Sequence, residues 1–112
     1  MAKKERIKGW KKEPGKKPYR IDISNELQAL QRQVGGYIET VTEGDAVIIC
    51  DEEGRLKNLP YNCKIFGIHG EIASFCGTIL FFGVDADEGE FTDCPREDIG
   101  SFGPKETRVY LT

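Results

Sequence analysis

The chain has 112 residues, 38% of them hydrophobic and 10% aromatic, with a formal net charge of -3. That length supports one domain with its own core and would leave each of two domains marginal. The small net charge conceals a split: residues 1–20 carry nine Lys or Arg against two acids, a balance of +7, while residues 21–112 carry seven against seventeen, a balance of -10.

The longest uninterrupted aliphatic and aromatic run, Ile79-Leu80-Phe81-Phe82, falls far short of the roughly twenty residues that span a bilayer. With no signal-peptide pattern at the start, a soluble, cytoplasmic protein is expected. Cys50, Cys63, Cys76 and Cys94 are separated by twelve, twelve and seventeen residues. No close pair suits a structural zinc site, and reduced, buried thiols are the expectation.

Residues 1–18 are rich in lysine and interrupted by Gly9, Pro14, Gly15 and Pro18. This composition reads as a mobile basic arm, because it offers little apolar surface to offset the entropy of ordering it. Its candidate role is nucleic-acid contact, with Lys8, Lys11, Lys12, Lys16 and Lys17 on phosphates and Trp10 on a base. The folded domain is expected over 19–112.

Tyr19 to Ile23 alternates in the two-residue period of a strand. Leu27, Leu30 and Val34 then share one helical face, which predicts a helix from about Asn25 to Val34, capped by Ser24 or Asn25 and ended by Gly35-Gly36. Tyr37–Val41 and Ala46–Cys50 read as a hairpin whose second strand is covered on both faces. Asp51-Glu52-Glu53-Gly54 turns the chain, and Arg55–Leu59 is expected as a short edge segment.

Tyr61 to Ser74 shows neither period and reads as a long connection. Phe75–Val84 is expected as one strand with a bulge or a close backbone approach at Gly77, Pro95–Ile99 as a short helix and Arg108–Leu111 as a closing strand. The fold class is therefore α+β: one principal helix packed on a mostly antiparallel sheet of about five or six strands. Its core should include Ile21, Ile23, Leu27, Leu30, Val34, Ile38, Val47, Ile49, Ile79, Phe81 and Val84.

No catalytic constellation stands out, and a non-enzymatic protein is expected, without cofactor or metal. His69 is the sole histidine, but no spacing ties it to a nucleophilic cysteine. The carboxylates of Asp85-x-Asp87-Glu88-Gly89-Glu90 fail the calcium-hand pattern, with glycine at the fifth position and Arg96 at the twelfth. Gly35-Gly36 follows a helix, so it is not a phosphate-binding loop. A small anionic ligand would have to be gripped by dispersed cations and aromatics, for which Arg32, Tyr37, Arg55, Lys57, Lys64 and His69 are the candidates.

Three word groups carry a family likeness. They are Ala29-Leu30-Gln31 with Val34-Gly35-Gly36-Tyr37-Ile38-Glu39, then Asp51-Glu52-Glu53-Gly54 with Leu59-Pro60, then the Gly77-Thr78 strand ending at Gly83. Over about residues 19–100 the chain resembles the family catalogued as domain of unknown function 3846, short proteins of bacteriophages and mobile elements. The family supplies no established activity or site residues. The resemblance implies an accessory protein acting by occupancy of a host component, with counter-defence by sequestration of an immune nucleotide signal as the leading expectation. The alternatives are inhibition of a host nucleoprotein such as a CRISPR effector by an acidic body that mimics nucleic acid, and DNA binding through the arm. A homo-oligomer is expected to cover exposed sheet edges.

Overall fold

The structure, a computed structural model, describes residues 4–67, 70–85, 87–95 and 108–110. In chain order the elements are β1 (Arg6–Lys12), β2 (Tyr19–Ser24), α1 (Leu27–Val34), β3 (Ile38–Glu43), β4 (Ala46–Asp51), β5 (Tyr61–Gly67), β6 (Gly70–Cys76), β7 (Ile79–Val84), β8 (Phe91–Thr92) and β9 (Arg108–Tyr110). The principal sheet runs β2-β1-β7-β4-β3, with β8 paired to the end of β7, and a second sheet runs β6-β5-β9. All of these pairings are antiparallel.

The apolar runs of β4 and β7 place them at the centre, because alternate residues of each strand feed two different cores. On one face Val47, Ile49, Leu80 and Phe82 pack with Ile7, Leu30 and Val34. On the other, Ala46, Ile48, Cys50, Ile79 and Phe81 pack with Cys63, Ile65 and Phe75 of the second sheet. The result is three layers: helix, six-stranded sheet, three-stranded sheet. The fold class expected from sequence is thus what forms, with a second sheet added.

α1 ends as its glycines dictate: Gly35 is left-handed, and the N–H groups of Gly35 and Gly36 both donate to the Gln31 carbonyl. Its start differs from expectation. The residue flanking the first turn is Glu26, and neither Ser24 nor Asn25 caps it. Asn25 is buried and instead donates to the carbonyls of Lys4 and Phe91. Leu27 is 57% exposed and outside the core, because α1 packs over β3, β4 and β7 with Leu30 and Val34 inward. The helix links β2 at one edge of the sheet to β3 at the other, so the two strands of the strand-helix-strand unit are not neighbours.

Other expectations are corrected. The stretch expected as a mobile arm is, over its described residues 4–18, part of the fold: β1 lies between β2 and β7, with Ile7 fully buried. Lysine counts hid its alternation, in which Ile7 and Gly9 face the helix side while Trp10 and Lys12 face the second sheet. Tyr61 to Ser74 is not a connection; most of it forms the β5–β6 hairpin.

Phe75–Val84 is two strands in different sheets. Gly77 separates them at φ 82 and receives the Leu59 side chain where a Cβ would stand 2.7 Å from Leu59 Cδ1. Only glycine meets both demands without strain. Arg55–Leu59 lies in a run of turns instead of an edge strand, with Lys57 and Asn58 N–H groups bonded back to Glu53 and Arg55. β9 matches the closing strand and pairs with β5. The Pro95–Ile99 helix falls beyond Pro95 outside the described residues.

Candidate functional site

Between β3–β4 and the edge strand β6 the two sheets part to leave a cleft of about 250 Å³. Val41 of β3 and Ala73 and Phe75 of β6 supply its apolar lining. Glu39, Asp51 and Glu52 bring carboxylates, and Arg55 brings one guanidinium. The turn after β4 closes one end: Arg55 Nη2 donates to the Ser74 carbonyl at 3.2 Å, and Gly54 lies against the Cys76 carbonyl. Leu56, also lining the cleft, is 82% exposed.

The polar groups differ in availability. Glu39, Glu52 and Arg55 are exposed, whereas the Asp51 side chain is 1% exposed and accepts hydrogen bonds from Lys57 Nζ at 2.8 Å and from the Glu53 N–H at 2.8 Å. Burial works against its charge, but those two donors together outweigh it and hold the carboxyl below its ordinary range. Lys57 also donates to the Gly35 carbonyl at 3.4 Å, where a cation favours the negative end of the helix. Gly36 is part of this arrangement, since a Cβ there would stand 2.6 Å from Lys57 Nζ.

Two thiols are set against nucleophilic chemistry. Cys50 lines the cleft and is pushed up to about 11, by burial first and then by the charges of Glu39 and Asp51. Cys63 is pushed up to about 11 by burial, with Lys12 opposing. Both are thiols, not thiolates, at neutral pH. Among the described residues no three His, Cys, Asp or Glu side chains converge as a metal site.

Of the residues proposed from sequence to grip a ligand, Arg55 alone lines this cleft. Lys57 is taken by Asp51 and the helix end. Arg32 is in the last turn of α1, Tyr37 is 67% exposed just before β3, and Lys64 is half-buried in β5. His69 lies outside the described residues. The sequence reading missed Glu39, Glu52 and Leu56; the acids of the Asp51–Glu53 run were its only signal, and they read as an ordinary turn.

The residues assigned to the basic arm are dispersed as well. Lys8 and Lys17 are exposed, and Lys16 pairs with Glu13 at 3.2 Å. Lys11 Nζ donates to Gln33 Oε1 at 2.8 Å, and the Arg20 guanidinium lies 5.0 Å from the centre of the half-buried Trp10 ring. Lys12 is 1% exposed, with its Nζ donating to Asn62 Oδ1 at 2.6 Å. Alternation sends Lys8, Trp10 and Lys12 to one face of the sheet and Lys11 to the other.

Fold and site together define a helix-and-two-sheet domain with an acidic cleft between its sheets. The chain belongs to the family described as domain of unknown function DUF3846, whose profile covers residues 7–105. The match begins inside β1, so this lysine-rich strand is part of the family domain. The chain matches no curated protein and no solved structure at a significant level. Among the described residues, no helix is long and apolar enough to cross a membrane.

Proposed function

We propose that this protein acts by binding and not by turnover, holding a basic, partly apolar segment of a protein partner in the cleft between β3–β4 and β6. The observation that carries this reading is Leu56, 82% exposed beside the solvent-facing carboxylates of Glu39 and Glu52. An exposed aliphatic side chain at a cleft mouth gains by burial against a partner, and flanking acids select a cationic one. The balance of -10 over residues 21–112 extends that field beyond the cleft. In the setting suggested by the family resemblance, such a protein would inhibit a host nucleoprotein by taking the place of its nucleic acid.

Arg55 supports a second reading, sequestration of a small nucleotide. Its guanidinium is anchored by one bond to the Ser74 carbonyl and keeps other N–H donors for a phosphate. Thermal unfolding of the full chain separates the two. A capped peptide alternating Lys and Leu is tested beside a panel of linear and cyclic nucleotides. A ligand at one hundred times its dissociation constant stabilises by about 2.7 kcal/mol, a rise in midpoint of roughly 10 °C for a domain of this size. The leading reading expects that rise with the peptide and its loss in Glu39→Lys/Glu52→Lys. A rise with one nucleotide only, lost in Arg55→Ala, would replace it with the second. A flat response to both would remove both.

A further inference from the structure

Strand β2 ends the principal sheet, and among the described residues no strand lies beyond it. Natural sheet edges are usually blunted by a bulge, an internal proline or an unbalanced charge. β2 has none of these. Its pairing with β1 is unbroken from Arg6↔Ser24 to Lys11↔Tyr19, Pro18 stands just before it, and its two charges, Arg20 and Asp22, are of opposite sign. Both are exposed and share one face, while Tyr19, Ile21 and Ile23 share the other.

The order of these residues is self-complementary. Laid antiparallel against a second copy with Ile21 opposite Ile21, the strand sets Arg20 opposite Asp22 twice and Tyr19 opposite Ile23 twice. This register keeps the helix layers of the two copies on the same side. Centring on Arg20 or Asp22 instead would set like charges opposite, which is destabilising. A one-residue slip would put the helix layers on opposite sides and set charges against isoleucines.

The other edge, β3, lacks this property: Ile38-Glu39-Thr40-Val41-Thr42-Glu43 carries acids and no base. The apolar face of β2 also lacks full cover. Ile21 and Ile23 are only half-buried and Tyr19 is 42% exposed, at the margin of a core whose helix packs over β3, β4 and β7.

We propose that β2 is a homodimerisation edge, joining two copies by a two-fold antiparallel β2–β2 pairing centred on Ile21. Asp22, which already accepts from Arg6 Nε at 2.9 Å, gains the partner's guanidinium at position 20. The apolar faces of the two β2 strands meet in the space between the two helices. The clefts, beside β3, remain at the outer ends of the joined sheet, so the dimer is bivalent.

Sedimentation equilibrium of the full chain over a concentration series tests this, with circular dichroism confirming that each variant is folded. The wild type is expected to be a dimer. Arg20→Asp alone and Asp22→Arg alone place like charges across the two-fold, and each should raise the dimer dissociation constant at least tenfold. Arg20→Asp/Asp22→Arg restores opposite charges and should return it to within about threefold of the wild type. A wild type that stays monomeric throughout would overturn the proposal and leave the edge to a strand of another protein. A dimer indifferent to the single exchanges, or a double variant no tighter than the singles, would overturn it equally.

Discussion

Lys12 Nζ donates to Asn62 Oδ1 at 2.6 Å in a place where the two residues are 1% and 4% exposed. Asn62 answers with its amide, donating to the carbonyls of Lys12 at 2.9 Å and Gly77 at 2.7 Å. One side chain of the second sheet thus fastens the end of β1 and the link between β6 and β7. Burial lowers the affinity of Lys12 for its proton, with Cys63 opposing.

The consequence is asymmetric. Asn62→Ala leaves the Lys12 ammonium with the Glu13 carbonyl at 3.3 Å and takes a donor from two carbonyls, and should lose roughly 2–4 kcal/mol in urea unfolding. Lys12→Met removes the cation and leaves both amide donors of Asn62 paired but its buried Oδ1 without the Lys12 donor, so its loss should be smaller, about 1–2 kcal/mol. Equal losses would show that the Lys12–Asn62 bond carries the joint and that the amide's bonds to the two carbonyls add nothing.

Gly77 and Gly89 both have positive φ, 82° and 71°, but a Cβ at Gly77 meets Leu59 whereas one at Gly89 has nothing within 4 Å. Alanine at Gly89 should cost only the left-handed strain, about 1 kcal/mol. Alanine at Gly77 adds displacement of Leu59 and should cost roughly 2–4 kcal/mol. Chemical denaturation of the two variants measures the difference directly.

Asp51 sets an acid limb. Its carboxyl titrates lower in the folded chain than the ordinary 3.8, so its contribution is complete above that value and is lost as pH falls through the folded one. Asp51→Asn should lower stability at neutral pH and flatten the decline below pH 3.8. A wild-type and variant profile that stay parallel in acid would remove the pair with Lys57 from the account.

Cys50 acts at the other end of the scale. Its thiol rises from 9.0 to about 11 on folding, so its stabilising contribution is complete below pH 9 and is lost as pH climbs through about 11. Two units correspond to roughly 3 kcal/mol. Unfolding followed from pH 8 upward should show Cys50→Ala losing less over that interval than the wild type.

Much of the architecture was legible because some signals are local. The unbroken apolar runs of β4 and β7 need cover on both faces wherever they sit, and the spacing of Leu30 and Val34 together with Gly35 fixes the inner face and end of α1. Strand β1 was hidden because its lysines read as solvated. Lys12 can be buried only because Asn62, fifty residues further on, receives it. The split of residues 75–84 between two sheets likewise depends on Leu59 packing against Gly77. The cleft is assembled from β3, β4, the turn after it and β6, so no window of sequence contains it, and Leu56 read as part of an edge strand.

Amide chemical-shift mapping of the labelled full chain during titration with the Lys-Leu peptide tests the binding account most directly. The account predicts saturable shifts at Glu39, Val41, Cys50 to Leu56 and Ala73 to Cys76, the residues around the cleft, and their disappearance in Glu39→Lys/Glu52→Lys. Shifts confined to Arg6–Ser24, or none at all, would contradict it.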